Sequence, residues 1–282
     1  MGFGSVEDFV GAYTSITSWR KSPSQTTVSG IWFDLSMSPG NPVPNYYASS
    51  PLVAATLNGG EGIFHGGAIS PYSKHLSRFM ALSAVTTALP MPIYLLDYLL
   101  YYPFVDMGTN DEQLFTNSTT LPRYTDGEGV RAMVVMTNPQ VTGGQTFTLN
   151  YTNQAGTAGR TSGTVTTNSG TAIGSLVGSA SATAGCRGPF VPLQSGDTGI
   201  RSVESMTFLT GSDVGLVSVV LVQPVASLML RDNTAPVEVD FLKDRPVLPR
   251  VYDGAYLNMI CHPVGSLAAT PLHGLAEFSR GV

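Results

Sequence analysis

Asp197-Thr198-Gly199 carries the residue order of an aspartic-protease loop. That chemistry needs two carboxylates sharing one proton, each on a loop that follows an apolar strand. Here the triplet follows Gln194-Ser195-Gly196 and the chain has no second copy. Gly-Asp-Thr-Gly is therefore read as a turn. His65-Gly66-Gly67 looks like an oxyanion-hole segment of esterases, yet the nucleophile elbow G-x-S-x-G that would accompany it is absent. The four histidines, 65, 75, 262 and 273, show no metal-ligand spacing, and Cys261-His262 alone is too little for a site. Asp97 lies in an apolar run, where it could be a catalytic carboxylate. A buried charge is normally paired, so a tyrosine hydroxyl or an arginine is the expected partner. Neither a P-loop nor G-x-G-x-x-G occurs. The expectation is a chain with no catalytic, cofactor-binding or metal-binding residues, and not an enzyme.

Such residues must be held by elements, and composition says which kind. Charged residues make up 12% of the 282, against about a quarter in an ordinary soluble domain. The 31 Gly and 19 Pro, with abundant Thr and Ser, favour short strands and turns over long helices. A net charge of -5 argues against wrapping nucleic acid, which relies on clustered Lys and Arg. No stretch reads as a membrane span: 89–105 holds three prolines and Asp97, and 214–230 is broken by Gln223-Pro224. The first residues lack the basic and apolar regions of a signal peptide. Cys186 and Cys261 are far apart and are expected as buried thiols in preference to a disulfide.

The clearest strand signal is Thr146 to Thr152. Phe147, Leu149 and Tyr151 point one way and Thr146, Thr148, Asn150 and Thr152 the other. Val130 to Met136 reads as a strand covered on both faces, and Thr161 to Thr167 as a third, so a hairpin and then a meander are expected over 122–167. Further strands are expected at Gly30 to Leu35, Gly199 to Leu209 and Val214 to Val222. Val6, Phe9, Val10, Tyr13, Ile16 and Trp19 fall at helical spacing behind the cap Ser5, which predicts an N-terminal helix. Ser70-Pro71 and the spacing of Leu76, Phe79, Met80 and Ala84 predict a second helix, and Pro92 to Tyr102 a third, buried one. The fold class is thus mainly β, a β-sandwich or jelly-roll-like fold with an N-terminal helix and a small helical insert. In domains, this gives an N-terminal helical arm at 1-25 and a mixed region at 26-120 with the insert at 71-102. A β-sandwich core follows at 121-234, then a proline-rich C-terminal arm at 235-282.

Two stretches, LPRYTDGEGVRAMVVMTNPQVTGGQTFTLNYTNQAG (121–156) and PLQSGDTGIRSVESMTFL (192–209), resemble segments of tailed-bacteriophage virion structural proteins. The texture is most like that of capsid decoration (cement) proteins, which are often β-rich and acidic and lie over joints between capsid subunits. The resemblance implies a structural protein that stabilises the head by binding capsid or other virion proteins. It implies no cofactor, no nucleic acid and no membrane, and a place in the virion after assembly in the host bacterial cytoplasm. A major capsid subunit and a tail or baseplate subunit are the alternatives within the class. A carbohydrate-binding β-sandwich or a small hydrolase is the alternative outside it. Low charge and the apolar N-terminal stripe point to self-association, with Phe9, Tyr13 and Trp19 as assembly contacts. The resemblance suggests a trimer.

Overall fold

The computed structural model describes residues 5, 14–24, 26–169, 172–179, 185, 188–211, 213–245, 247–267, 269 and 271–281. Its strands are β1 (Thr14–Lys21), β2 (Phe33–Asp34), β3 (Gly40–Asn41), β4 (Ala55–Thr56), β5 (Ser73–Ser83), β6 (Met91–Asp106), β7 (Gln113–Leu114), β8 (Arg131–Asn138) and β9 (Thr146–Asn153). They continue with β10 (Arg160–Thr161), β11 (Val165–Thr166), β12 (Ile200–Thr210), β13 (Leu216–Leu230), β14 (Val237–Asp240), β15 (Arg250–Val251), β16 (Leu257–Cys261) and β17 (Leu272–Gly281). The helical content among the described residues is two 3-10 turns, Leu35–Met37 and Gly59–Glu61. The fold is mainly β.

Among the described residues these strands form three antiparallel sheets. Sheet I runs β14-β5-β17-β1-β3, with β15 also on β5. Sheet II runs β2-β16-β6-β13-β8, with β4 on β6. Sheet III runs β10-β9-β12-β7, with β11 on β9. Sheet II is the shared layer. Ile93 and Leu95 of β6 join a core with Trp19, Phe79 and Ala276 of sheet I. Further along, Leu100, Tyr102 and Val105 join another with Phe147, Leu149 and Phe208 of sheet III. A bulge at Leu99 separates the Tyr98–Val222 and Leu100–Leu221 pairs, so the side chains change parity there. Leu96 and Tyr98 face the opposite side, under Trp32, Met37 and Tyr47. A sixteen-residue strand buried on both faces must be apolar throughout, and that is why the sequence of β6 carries almost no alternation.

Several sequence expectations need correction. The helical insert at 71-102 is absent: the region forms β5 and β6. In β5, Phe79, Ala81 and Ser83 face inward, while Arg78, Met80 and Leu82 are only partly buried. Only Phe79 of that period belongs to the helical stripe Leu76, Phe79, Met80 and Ala84, and pairing to β14 and β17 on either side decides the matter. The N-terminal helix is not supported, because Thr14–Lys21 is a strand paired with β17; the earlier residues of its stripe, including Phe9 and Tyr13, lie outside the described residues. The hairpin expected from 130 to 152 does not form either. β8 pairs with β13 in sheet II and β9 with β12 in sheet III, so the loop 139–145 crosses between layers. The later half of the meander does form, with β10 and β11 both on β9. Within 235-282, β16 and β17 are interior strands of two different sheets.

Candidate functional site

Asp197 is held by three side chains. Tyr151 Oη donates to it at 2.7 Å, Asn153 Nδ2 at 2.7 Å and Arg160 Nε at 2.9 Å. The Arg160 guanidinium, helped by Tyr151 and Asn153, pulls its carboxyl down to about 2, so the group is ionised and fully engaged. Gly199 of the same triplet lies where a Cβ would come within 1.9 Å of the Gly127 carbonyl. The triplet closes a loop, and each of its ends is fixed by packing or hydrogen bonds.

Asp97 sits where the two cores on sheet II meet, between Leu95 of one and Leu99 of the other. Its carboxylate takes a bidentate bond from Arg123, at 2.7 and 2.9 Å, and a third from the Tyr256 N–H at 3.0 Å. Arg123 also donates to the Leu57 and Tyr98 carbonyls. Burial raises the Asp97 carboxyl, and Arg123 works against it. Of the two expected partners, a tyrosine hydroxyl or an arginine, the carboxylate has the arginine. Asp34 is a second buried carboxylate, accepting from Tyr98 Oη at 2.7 Å, Ser36 Oγ at 2.7 Å, Ser36 N–H at 2.8 Å and the Tyr47 hydroxyl. Burial raises its carboxyl against these bonds. Nearby Lys21 donates to the Ser38 and Pro42 carbonyls, and burial lowers its amine to about 8. Both clusters fasten chain segments together.

The histidines are scattered. His65 Nε2 donates to the Ala255 carbonyl at 2.9 Å, and its Nδ1 accepts from Lys74 Nζ at 3.1 Å, so the ring is neutral in a fixed tautomer. Burial lowers its pKa first, with Lys74 adding to the effect. The Gly66 and Gly67 carbonyls also accept from Lys74, which makes His65-Gly66-Gly67 the seat of a cation. His75 bonds Ser73 Oγ, His262 lies beside the Trp32 ring, and His273 is exposed on β17. Among the described residues no group of three potential metal ligands forms. Cys261 is a free thiol buried in β16 and Cys186 lies outside the described residues.

The surface differs in kind from these buried clusters. Asp213 accepts four backbone N–H groups, from Val141 at 3.0 Å, Thr142 at 2.9 Å, Gly143 at 2.7 Å and Val214 at 2.8 Å. Burial acts to raise its carboxyl, but the four bonds outweigh that and hold it below the usual range. The clamp fixes the loop 139–144 against the start of β13 and leaves two apolar side chains outside. Val141 is 75% exposed and Val214 59%, and Leu209 at the end of β12 is 49% exposed. Asp213 thus holds the segments that carry the exposed Val141 and Val214 against each other. Asp213 and the loop it holds are some 70 residues apart, and nothing local in the sequence joins them. Trp19, expected as an assembly contact, is instead 1% exposed and stacked on Phe79 at 5.9 Å in the core under sheet I. The other expected contacts, Phe9 and Tyr13, lie outside the described residues.

No protein-family model matches the chain, and no curated protein matches it. Among solved structures, the chain is similar to one in the 2.6 Å structure of infectious bursal virus derived T=1 particles. The match has 10% identity and a TM-score of 0.20 and covers 99% of this chain and 80% of that one. So slight a likeness carries no weight for fold or function.

Proposed function

We propose that this chain is a structural component of a tailed-phage virion, most like a capsid decoration protein that stabilises the head by binding between capsid subunits and associating with copies of itself. The observation that carries this reading is the pair of exposed side chains Val141 and Val214, on segments held by the four bonds to Asp213. Apolar area held in place on a charge-poor surface favours a partner, because little conformational freedom is lost on docking. The resemblance of 121–156 and 192–209 to virion proteins supplies the class. It also suggests capsid proteins as partners, a trimer as the order of association and the virion as the location. The buried carboxylates support the same view: Asp34, Asp97 and Asp197 are each committed to holding the fold. Mass spectrometry of purified virions of the source phage tests it. The chain should appear in fixed proportion to the major capsid protein, and its absence from intact particles overturns the reading.

A further inference from the structure

A cavity of about 530 Å³ opens between the first residues of β13, the end of β8 and the segment that follows β2. Pockets that hold small molecules span about 300–1,000 Å³, with mostly apolar walls and a few polar groups. Phe33, Met37, Phe104, Ile173 and Leu216 form the walls. Phe33 and Met37 are buried, so they make the floor. Asn138 and Ser24, both exposed, stand at the mouth, and the lining holds no acidic, basic or histidine side chain.

Two left-handed residues lie in or beside this lining. Phe104 has φ +60°, a left-handed conformation that is unfavourable for a residue with a side chain. It lies in a bulge of β6, between the Val217–Val105 and Val219–Tyr102 pairs, and contributes to the cavity wall. Tyr47 is also left-handed, with φ +52°. Its hydroxyl is anchored on Asp34 in the interior, while its neighbour Tyr46, 57% exposed, lines the cavity. Strain of this sort persists where the surrounding structure over-determines it, and it gathers at ligand sites.

We propose that this cavity binds a compact uncharged molecule, aromatic or aliphatic, with any hydrogen-bonding group turned to the mouth at Asn138. A charged ligand is disfavoured because no lining side chain could pair with it. The proposal stands apart from the virion reading and does not rest on it. The probe is N-phenyl-1-naphthylamine, which is neutral and fluoresces in apolar surroundings, titrated into the full chain. Fluorescence should rise to saturation at one probe per chain, and the unfolding temperature should climb with probe concentration, as it does for any ligand specific to the native state. Ala48→Trp places an indole at the exposed rim of the cavity and should abolish saturation without lowering the unfolding temperature of the free protein. Phe104→Gly removes one wall while suiting the left-handed backbone, and should weaken binding in a chain as stable as the original. If Ala48→Trp fails to fold, Phe104→Gly decides. Absence of a saturable signal overturns the proposal, as does a titration that neither variant changes.

Discussion

Arg123 and Asp97 show what a single buried charge pair is for in this molecule. Two cores abut on the same face of sheet II, and the pair fills the seam while tying β6 to the loop before β8 and to Tyr256. Removing one partner strands the other without water. Asp97→Ala should cost about 3–5 kcal/mol in urea unfolding, whereas the double change Asp97→Leu with Arg123→Met should cost much less. Equal losses in both variants would mean that the pair's own hydrogen bonds, and not the stranding of one charge, carry the cost. Asp197 behaves differently because its folded pKa, about 2, lies below the unfolded value of about 3.9. Its contribution is complete above the unfolded value and is lost as pH falls towards 2. Acid titration of stability should therefore drop less steeply between pH 4 and 2 in Asp197→Asn than in the unmodified chain. At this scale the sequence was legible in type but not in partner. An aspartate in an apolar run had to be paired, yet nothing near it in sequence pointed to Arg123.

At the scale of elements, Thr146–Thr152 and the apolar runs Val130–Met136 and Val214–Val222 were legible as strands, whereas β5 and β6 were read as helices. Thr146–Asn153 buries every second residue, and its pattern matches its structure. β6 is apolar on both faces, and an apolar run of that length fits a buried helix equally well until its neighbours are known. β8 and β9 were placed as a hairpin because a turn-rich loop joins them, but a turn-rich loop can equally cross from one layer to another. Long-range pairing also sets single residues whose role no local pattern reveals. Gly274 in β17 is one: a Cβ there would lie 1.9 Å from the Met80 carbonyl and 2.7 Å from the Trp19 ring. Gly274→Ala must push sheet I apart locally, and we expect a loss of about 1–3 kcal/mol in thermal unfolding. A neutral result would mean that β1 and β5 move aside without strain.

At the scale of the molecule, the described residues form two sandwiches built on one shared sheet, with chemistry-bearing residues turned inward to hold segments together. Apolar side chains are held outward on a clamped loop. Composition foretold the mainly β fold and the charge-poor surface; it could not place these side chains, because Asp213 and the loop 139–144 are some 70 residues apart. Asp213→Ala leaves four N–H groups without their acceptor and should cost about 1–3 kcal/mol, with weaker self-association even where the chain stays folded. Sedimentation velocity of the unmodified chain beside the Val141→Asp, Val214→Asp double variant tests the central claim most directly. The unmodified chain should sediment as a concentration-dependent oligomer, and the double variant as a monomer with the same far-UV circular dichroism. A monomer in both, or an oligomer that the double change leaves intact, would contradict the assignment of Val141 and Val214 to the surface through which the protein assembles.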